Sequence, residues 1–119
     1  MTDSKSRRVL VVEDDEGIRD ALCDLLESEG FAVSSAVHGR DALEKLRNNG
    51  ARPDIILLDL MMPVMDGWAF RSEQQQDPSL ADIPVVVITA SRQADLAALK
   101  PRAFLKKPID FDELLRALV

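Results

Sequence analysis

The chain of 119 residues contains a single cysteine, Cys23, so no internal disulfide can form. That suits a reducing compartment, where small domains are not stapled by cystines. Apolar residues make up 46% of the chain, but none of their runs approaches the roughly 20 residues needed to span a bilayer. The start, Met1 to Arg8, lacks the apolar block of a secretory leader. Basic charge is also short: 15 Lys and Arg against 21 Asp and Glu leave a net charge of -6. Direct nucleic-acid binding needs a basic face and is not expected; a basic partner patch or a cation suits this balance better. No internal repeat, low-complexity tract or domain-scale linker appears. The expectation is a cytoplasmic globular protein with no membrane contact. It has one domain over residues 8–119 behind a flexible tail over 1–7, and enough chain to bury a core.

What is present alternates regularly. Val9-Leu10-Val11-Val12 reads as a buried strand. Ile18, Ala21, Leu22, Leu25 and Leu26 then recur at helical spacing and predict one apolar face, with Gly30 as the stop. Phe31 to Val37 is a weaker, more polar strand, nearer an edge. Gly39 to Asn49 is a helix that turns Ala42, Leu43 and Leu46 inward. Ile55 to Asp59 is a third strand, and Trp68 to Gln76 a third helix. The second half of that helix, Arg71-Ser72-Glu73-Gln74-Gln75-Gln76, is so polar that it is expected to be exposed or frayed. Val85 to Thr89 is the strongest strand. Ser91 to Lys100 has weak helical character and must end at Pro101. Ala103-Phe104-Leu105 is a short fifth strand. Asp110 and Glu113 have the spacing of a capping box for a last helix that buries Leu114, Leu115 and Leu118. Nearly continuous apolar strands between helices imply an α/β fold: a parallel sheet covered on both faces.

Ligands of such sheets bind beyond the carboxyl ends of the strands. The first strand delivers Glu13-Asp14 there, the third Asp59, the fourth Thr89, and the fifth Lys106-Lys107. Each has an ordinary explanation alone, as a cap, a strand end or a loop residue; their joint placement is harder to dismiss. Three carboxylates together repel unless a cation sits among them. Hard oxygen ligands with open positions suit Mg²⁺, which keeps waters and seeks phosphate oxygens. A carboxylate can also act as a nucleophile and form an aspartyl-phosphate.

Four stretches carry a resemblance: Val11-Val12-Glu13-Asp14, Asp59 through Pro63 to Asp66-Gly67, Ile83-Pro84 through Thr89-Ala90, and Phe104-Leu105-Lys106-Lys107-Pro108. In this order and on this strand pattern, the chain closely resembles the receiver domain of two-component response regulators from Val9 to about Val119. The resemblance implies a flavodoxin-like sheet in the order 2-1-3-4-5. It implies Asp59 as acceptor of a phosphoryl group from a sensor histidine kinase or phosphotransfer protein, and Mg²⁺ (or Mn²⁺) as cofactor. Asp14 would bind the metal directly, Glu13 largely through water, Asp59 itself, and Met61 through its backbone carbonyl. Thr89 would be the switch hydroxyl, Lys107 the phosphoryl partner, and Phe104 the aromatic that packs inward when Thr89 moves. Lys106 is read as an exposed neighbour. Asp15 is read as a neighbour of the ligands rather than one of them, and Asp66 as the turn into the third helix. A downstream protein partner is implied, and no enzyme activity beyond self-phosphorylation and self-dephosphorylation, which Met61 and Ser91 would tune.

The chain departs from the family pattern between Thr89 and Phe104. This segment is about one helical turn short, and Leu99-Lys100-Pro101-Arg102 replaces the usual Gly-Ala. A shortened fourth helix puts the usual output surface in question, and partner binding is expected to use a remodelled surface or the first helix. Two other readings compete. A binding module that dispenses with phosphorylation has no need of Asp14, Asp59, Thr89 and Lys107 together. A phosphatase of the haloacid dehalogenase type wants a second acid two residues after the nucleophile, where this chain has Met61. His38 is read as a surface residue, Cys23 as unactivated, Trp68 as a packing residue, and one or two of Met61, Met62 and Met65 as packing beneath the loop.

Overall fold

The computed structural model describes residues 7–48, 52–90 and 99–118. Five strands are present among them: β1 (Arg8–Val12), β2 (Ala32–Ala36), β3 (Ile55–Asp59), β4 (Val85–Thr89) and β5 (Ala103–Lys106). Four helices join or follow them: α1 (Glu16–Ser28), α2 (Gly39–Asn48), α3 (Gly67–Gln76) and α4 (Phe111–Leu118). All pairings are parallel, in the order β2-β1-β3-β4-β5. The helix predicted over Ser91 to Lys100 falls largely on residues 91–98, outside the described residues, as does most of the predicted tail. Leu99 is buried.

Alternation along the strands divides the core in two, since successive side chains point to opposite faces. Leu10, Val12, Ile56, Leu58, Val85 and Val87 meet Ala42 and Leu43 of α2 and Phe70 of α3. Val9, Val11, Ile55, Leu57, Val86 and Ile88 meet Leu22 and Leu26 of α1 and Leu114 and Leu118 of α4. Helices thus cover both faces of the sheet, which is why β3 and β4 are buried at every position. The edge strands differ. β5 is only four residues long and buries Leu105 alone, and β2 alternates between exposed and part-buried positions before Ala36.

Caps fix the helix starts. Asp15 accepts the Ile18 amide at 2.9 Å, Asp66 the Ala69 amide at 2.9 Å, and Asp110 the Glu113 amide at 3.1 Å. Each satisfies a backbone donor that the helix itself leaves open. His38 does the same for α2, its Nδ1 accepting the Asp41 amide at 3.1 Å. Gly30, at φ 98°, ends α1 in a conformation that side chains resist.

Two expectations about helices are corrected. The apolar face predicted for α1 is narrower than its periodicity suggests: Ile18 and Ala21 are exposed and Leu25 only half-buried. Ile18 belongs to the first turn of α1. The second half of α3 stays helical to Gln76, and Ser72, Glu73, Gln75 and Gln76 are exposed as expected, but Arg71 and Gln74 are not. Arg71 is 8% exposed and Gln74 is 0% exposed. Arg71 Nε donates to the Leu99 carbonyl at 2.6 Å, Nη2 to the Lys100 carbonyl at 3.0 Å, and Nη1 to Gln74 Oε1 at 2.8 Å. Gln74 Nε2 donates to the Leu80 and Ile83 carbonyls at 2.9 and 3.0 Å. These polar side chains face the backbone leading into β4 and β5, not water. Burial lowers the Arg71 pKa from its ordinary value.

Candidate functional site

The site begins with the crossover. α1 carries the chain from β1 to β2 on one side, and α2 returns it across β1 to β3 on the other. A crevice therefore opens between the carboxyl ends of β1 and β3. The ladder runs one step past several strand ends. Glu13 N–H donates to the Ala36 carbonyl at 3.1 Å, Leu60 N–H to the Ile88 carbonyl at 3.2 Å, and Lys107 N–H to the Thr89 carbonyl at 3.0 Å. Residues just beyond the strands are thus positioned by the same ladder as residues within them.

Glu13, Asp14 and Asp59 converge there, with carboxylate oxygens all within 4.8 Å of one another. Glu13 and Asp59 are 2% and 3% exposed, whereas Asp14 is exposed. Lys107 Nζ stands 3.7 Å from Glu13 Oε1 and 3.6 Å from Asp59 Oδ2. Those separations are ion pairs but too long for hydrogen bonds. Asp59 Oδ1 faces the Met61 amide at 3.4 Å, and Glu13 Oε2 accepts the Asp15 amide at 3.1 Å. Glu13 Oε1 is buried with no hydrogen-bond partner among the described residues. Burial pushes the Glu13 carboxyl up from 4.5 to about 7. The Asp59 charge adds to the rise, while the Asp15 amide and the Lys107 charge oppose it.

The orphaned Glu13 oxygen, two further carboxylates and a lysine held off at ion-pair distance are what a small hard cation needs. Each acid offers oxygen, and the exposed Asp14 side leaves room for waters. The residues present therefore fit Mg²⁺ or Mn²⁺.

The other candidates lie nearby on the same framework. Thr89 is fully buried as the last residue of β4 and pairs in register with Lys106 of β5. Phe104 sits two residues earlier on β5 and is 48% exposed, so its ring faces outward. Lys106 is exposed. The Met61 side chain is exposed, while Met62 and Met65 pack against the α2 and α3 side of the core. Asp15 and Asp66 are caps. Trp68 packs on that same side and lines a groove with Arg71, Ser72, Gln75 and Leu99. Cys23 is half-buried among apolar neighbours, and burial raises its thiol pKa.

The loop after Asp59 is built against the strand. Gly67 N–H donates to the Leu60 carbonyl at 2.9 Å. A Cβ at Gly67 would lie 2.6 Å from Leu60 Cδ2 and 3.0 Å from the Asp59 carbonyl oxygen. Only glycine lets the helix start so close to the acid's own backbone. Val64, at the loop tip, adopts φ 67°, a costly conformation for a β-branched residue.

Residues 9–119 match the family described as the response regulator receiver domain. The chain belongs to that family. Response regulator PleD of Caulobacter vibrioides is 43% identical over 118 residues, which are 96% of this chain and 25% of PleD. The receiver domain of a signal transduction histidine kinase from Syntrophus aciditrophicus superposes with a TM-score of 0.86 at 30% identity, covering 95% of this chain and 87% of that one. The Mn(2+)-bound form of response regulator Rcp1 superposes with a TM-score of 0.79 at 29% identity, covering 95% and 89%. The chain spans half or less of the curated regulators it matches. As a receiver of a two-component system it is a signalling module, not a classical enzyme. Among the described residues, no helix is long and apolar enough to cross a membrane.

Two groups of contacts were not anticipated from the sequence. One is the Arg71–Gln74 network on α3. The other is Arg19 of α1, whose Nη1 donates to the Glu13 carbonyl at 3.0 Å and to the Asp14 carbonyl at 3.3 Å. The Arg71 acceptors at Leu99 and Lys100 are backbone groups that only the fold brings near; those of Arg19 are close in sequence, but an arginine in a helix's first turn carries no signal that it will fold back onto them.

Proposed function

We propose that this receiver is a phosphorylation-controlled switch with Asp59 as the acceptor. The supporting observation is the convergence of Glu13, Asp14 and Asp59 with Lys107 at the crevice between β1 and β3. An Asp59 carboxylate oxygen attacks the phosphorus of a phosphohistidine on a sensor kinase or phosphotransfer protein. The P–O bond forms as the P–N bond breaks, and the imidazole leaves with the electron pair and later takes up a proton. Asp14, Asp59 and the Met61 carbonyl are the groups that would hold Mg²⁺ directly, with Glu13 acting largely through water. The bound ion supplies positive charge against the transferring phosphoryl oxygens. Lys107 adds a second positive charge from the other side.

Once Asp59 carries the phosphoryl group, its oxygens attract Lys107 and the Thr89 hydroxyl. That favours a conformer in which Thr89 moves toward the site and Phe104 turns inward. The outward ring is the state of the unmodified chain. The shift equals the difference in phosphoryl contacts between the two conformers. A downstream protein reads that difference, and the setting is the cytoplasm.

Mass spectrometry after incubation with acetyl phosphate and Mg²⁺ tests this reading. The expected result is a gain of one phosphoryl group that is absent without Mg²⁺ and absent in Asp59→Asn. No gain in the wild-type chain would leave a binding module that works without phosphorylation. Steady hydrolysis of unrelated phosphomonoesters would point to a phosphatase instead.

A further inference from the structure

Asp14 is the exposed member of the acid trio, and its carboxylate engages no side chain or amide among the described residues. Its direction therefore depends on the backbone that carries it. Arg19, one turn into α1, reaches back over that backbone. A single guanidinium nitrogen bridges the Glu13 and Asp14 carbonyls at 3.0 and 3.3 Å. Acids surround it in sequence at Asp15, Glu16 and Asp20, and it forms an ion pair with none of them among the described residues. From the other side, the Asp15 amide holds Glu13 Oε2, and the Asp15 carboxylate holds the start of α1. Fixing two consecutive carbonyls fixes the peptide planes on either side of Asp14, and with them the direction of its Cα–Cβ bond.

We propose that Arg19 is a positioning residue for the divalent cation: it holds the Glu13–Asp14 backbone so that both carboxylates are presented to the ion. This rests on the reading that the acid edge binds Mg²⁺. Geometry and simple electrostatics pull in opposite directions here, which makes the inference testable. A nearby guanidinium charge by itself repels a cation, so deleting it would tighten binding. Losing the group that orients the ligands loosens binding, and removal of such supporting partners typically costs 10–100-fold in metal affinity.

The experiment is calorimetric titration of the full chain with Mg²⁺. It compares wild type, Arg19→Met, Arg19→Lys and Arg52→Ala. Met keeps the apolar stem and loses the donor. Lys keeps one nitrogen able to bridge two carbonyls. Arg52 also donates to a backbone carbonyl, that of Ser79 at 2.8 Å, but from the loop before β3. It controls for the loss of one positive charge and one such bond. The expected dissociation constant rises about tenfold in Arg19→Met, falls back toward the wild-type value in Arg19→Lys, and is unchanged in Arg52→Ala. Acetyl phosphate labelling should show the same split, with the half-saturating Mg²⁺ concentration raised and the rate at saturating Mg²⁺ restored. If Arg19→Met fails to fold, Arg19→Ala carries the same test. Wild-type binding with equal or tighter binding in the Arg19 variants overturns the positioning role and leaves the proposed function standing. No Mg²⁺ binding by the wild-type chain overturns both.

Discussion

Gln74→Leu should cost the domain a large part of its stability, although Gln74 lies far from the acids in sequence and looks like a surface residue. Gln74 Nε2 serves the Leu80 and Ile83 carbonyls, and its Oε1 receives a guanidinium N–H from Arg71. Leucine has about the right volume and none of these functions. The Leu80 carbonyl keeps the Ile83 amide at 3.1 Å, but the Ile83 carbonyl and the Arg71 N–H lose the partner that Gln74 gave them. A buried group left unsatisfied costs about 1–3 kcal/mol, and hydrogen bonds to charged groups fall in a similar or higher range. Extra apolar burial returns about 1 kcal/mol. The net loss is roughly 2–4 kcal/mol, against a total stability on the order of 5–15 kcal/mol. Urea unfolding followed by circular dichroism should move its midpoint down by about 1–2 M, taking a slope near 2 kcal/mol per molar. Gln75→Leu, on the exposed neighbouring position, should stay within about 0.5 kcal/mol of wild type. A Gln74→Leu variant as stable as Gln75→Leu would refute the reasoning.

Two further outcomes concern the site. Glu13 holds its proton up to about pH 7 in the folded chain, against 4.5 when exposed. Without metal, the unfolded chain releases that proton first, so this group makes the domain progressively less stable from about pH 4.5 to 7, by roughly 3 kcal/mol in total. In EDTA, Glu13→Gln should therefore lose less stability than wild type between pH 5 and pH 8; identical pH profiles would contradict the assignment. Val64→Gly should relieve the positive φ at the loop tip. The strain is about 1–2 kcal/mol and the added flexibility of glycine costs about 0.5–1 kcal/mol, so a rise of a few degrees in melting temperature is expected, and a fall would show that Val64 is not strained.

The sheet was legible because its strands are short apolar runs separated by amphipathic helices. The site edge was legible because β1, β3, β4 and β5 each deliver chemically distinctive residues at or just past their ends. Asp66 and Asp110 were readable as local features because a cap acts within three residues of itself, whereas the cap formed by Asp15 was hidden in a run of four acids. Arg71 was not readable, since its acceptors at Leu99 and Lys100 lie 28 and 29 positions away. A run such as Arg71 to Gln76 carries no hydrophobic period, and nothing local distinguishes a glutamine that faces water from one that faces stranded carbonyls. Ile18 failed in the opposite sense: its spacing fits the α1 stripe, but periodicity does not say which turns of a helix are covered. The exposed ring of Phe104 sits on an edge strand, where an aromatic in a short apolar run gives no local sign of which side the fold leaves open.

Among the described residues, β5 is the shortest strand and is hydrogen-bonded on one side only, and it carries Lys107 directly after its last residue. Strands of that kind open locally at far less cost than the whole molecule unfolds. When β5 peels from β4, the lysine leaves while Glu13, Asp14 and Asp59 stay on the central strands. Three acids then face one another without the lysine that pairs with them, and a bound divalent ion is the positive charge that can sit between their carboxylates. The chemistry of the site would fail on heating before the fold does, and added magnesium would narrow the gap between the two temperatures.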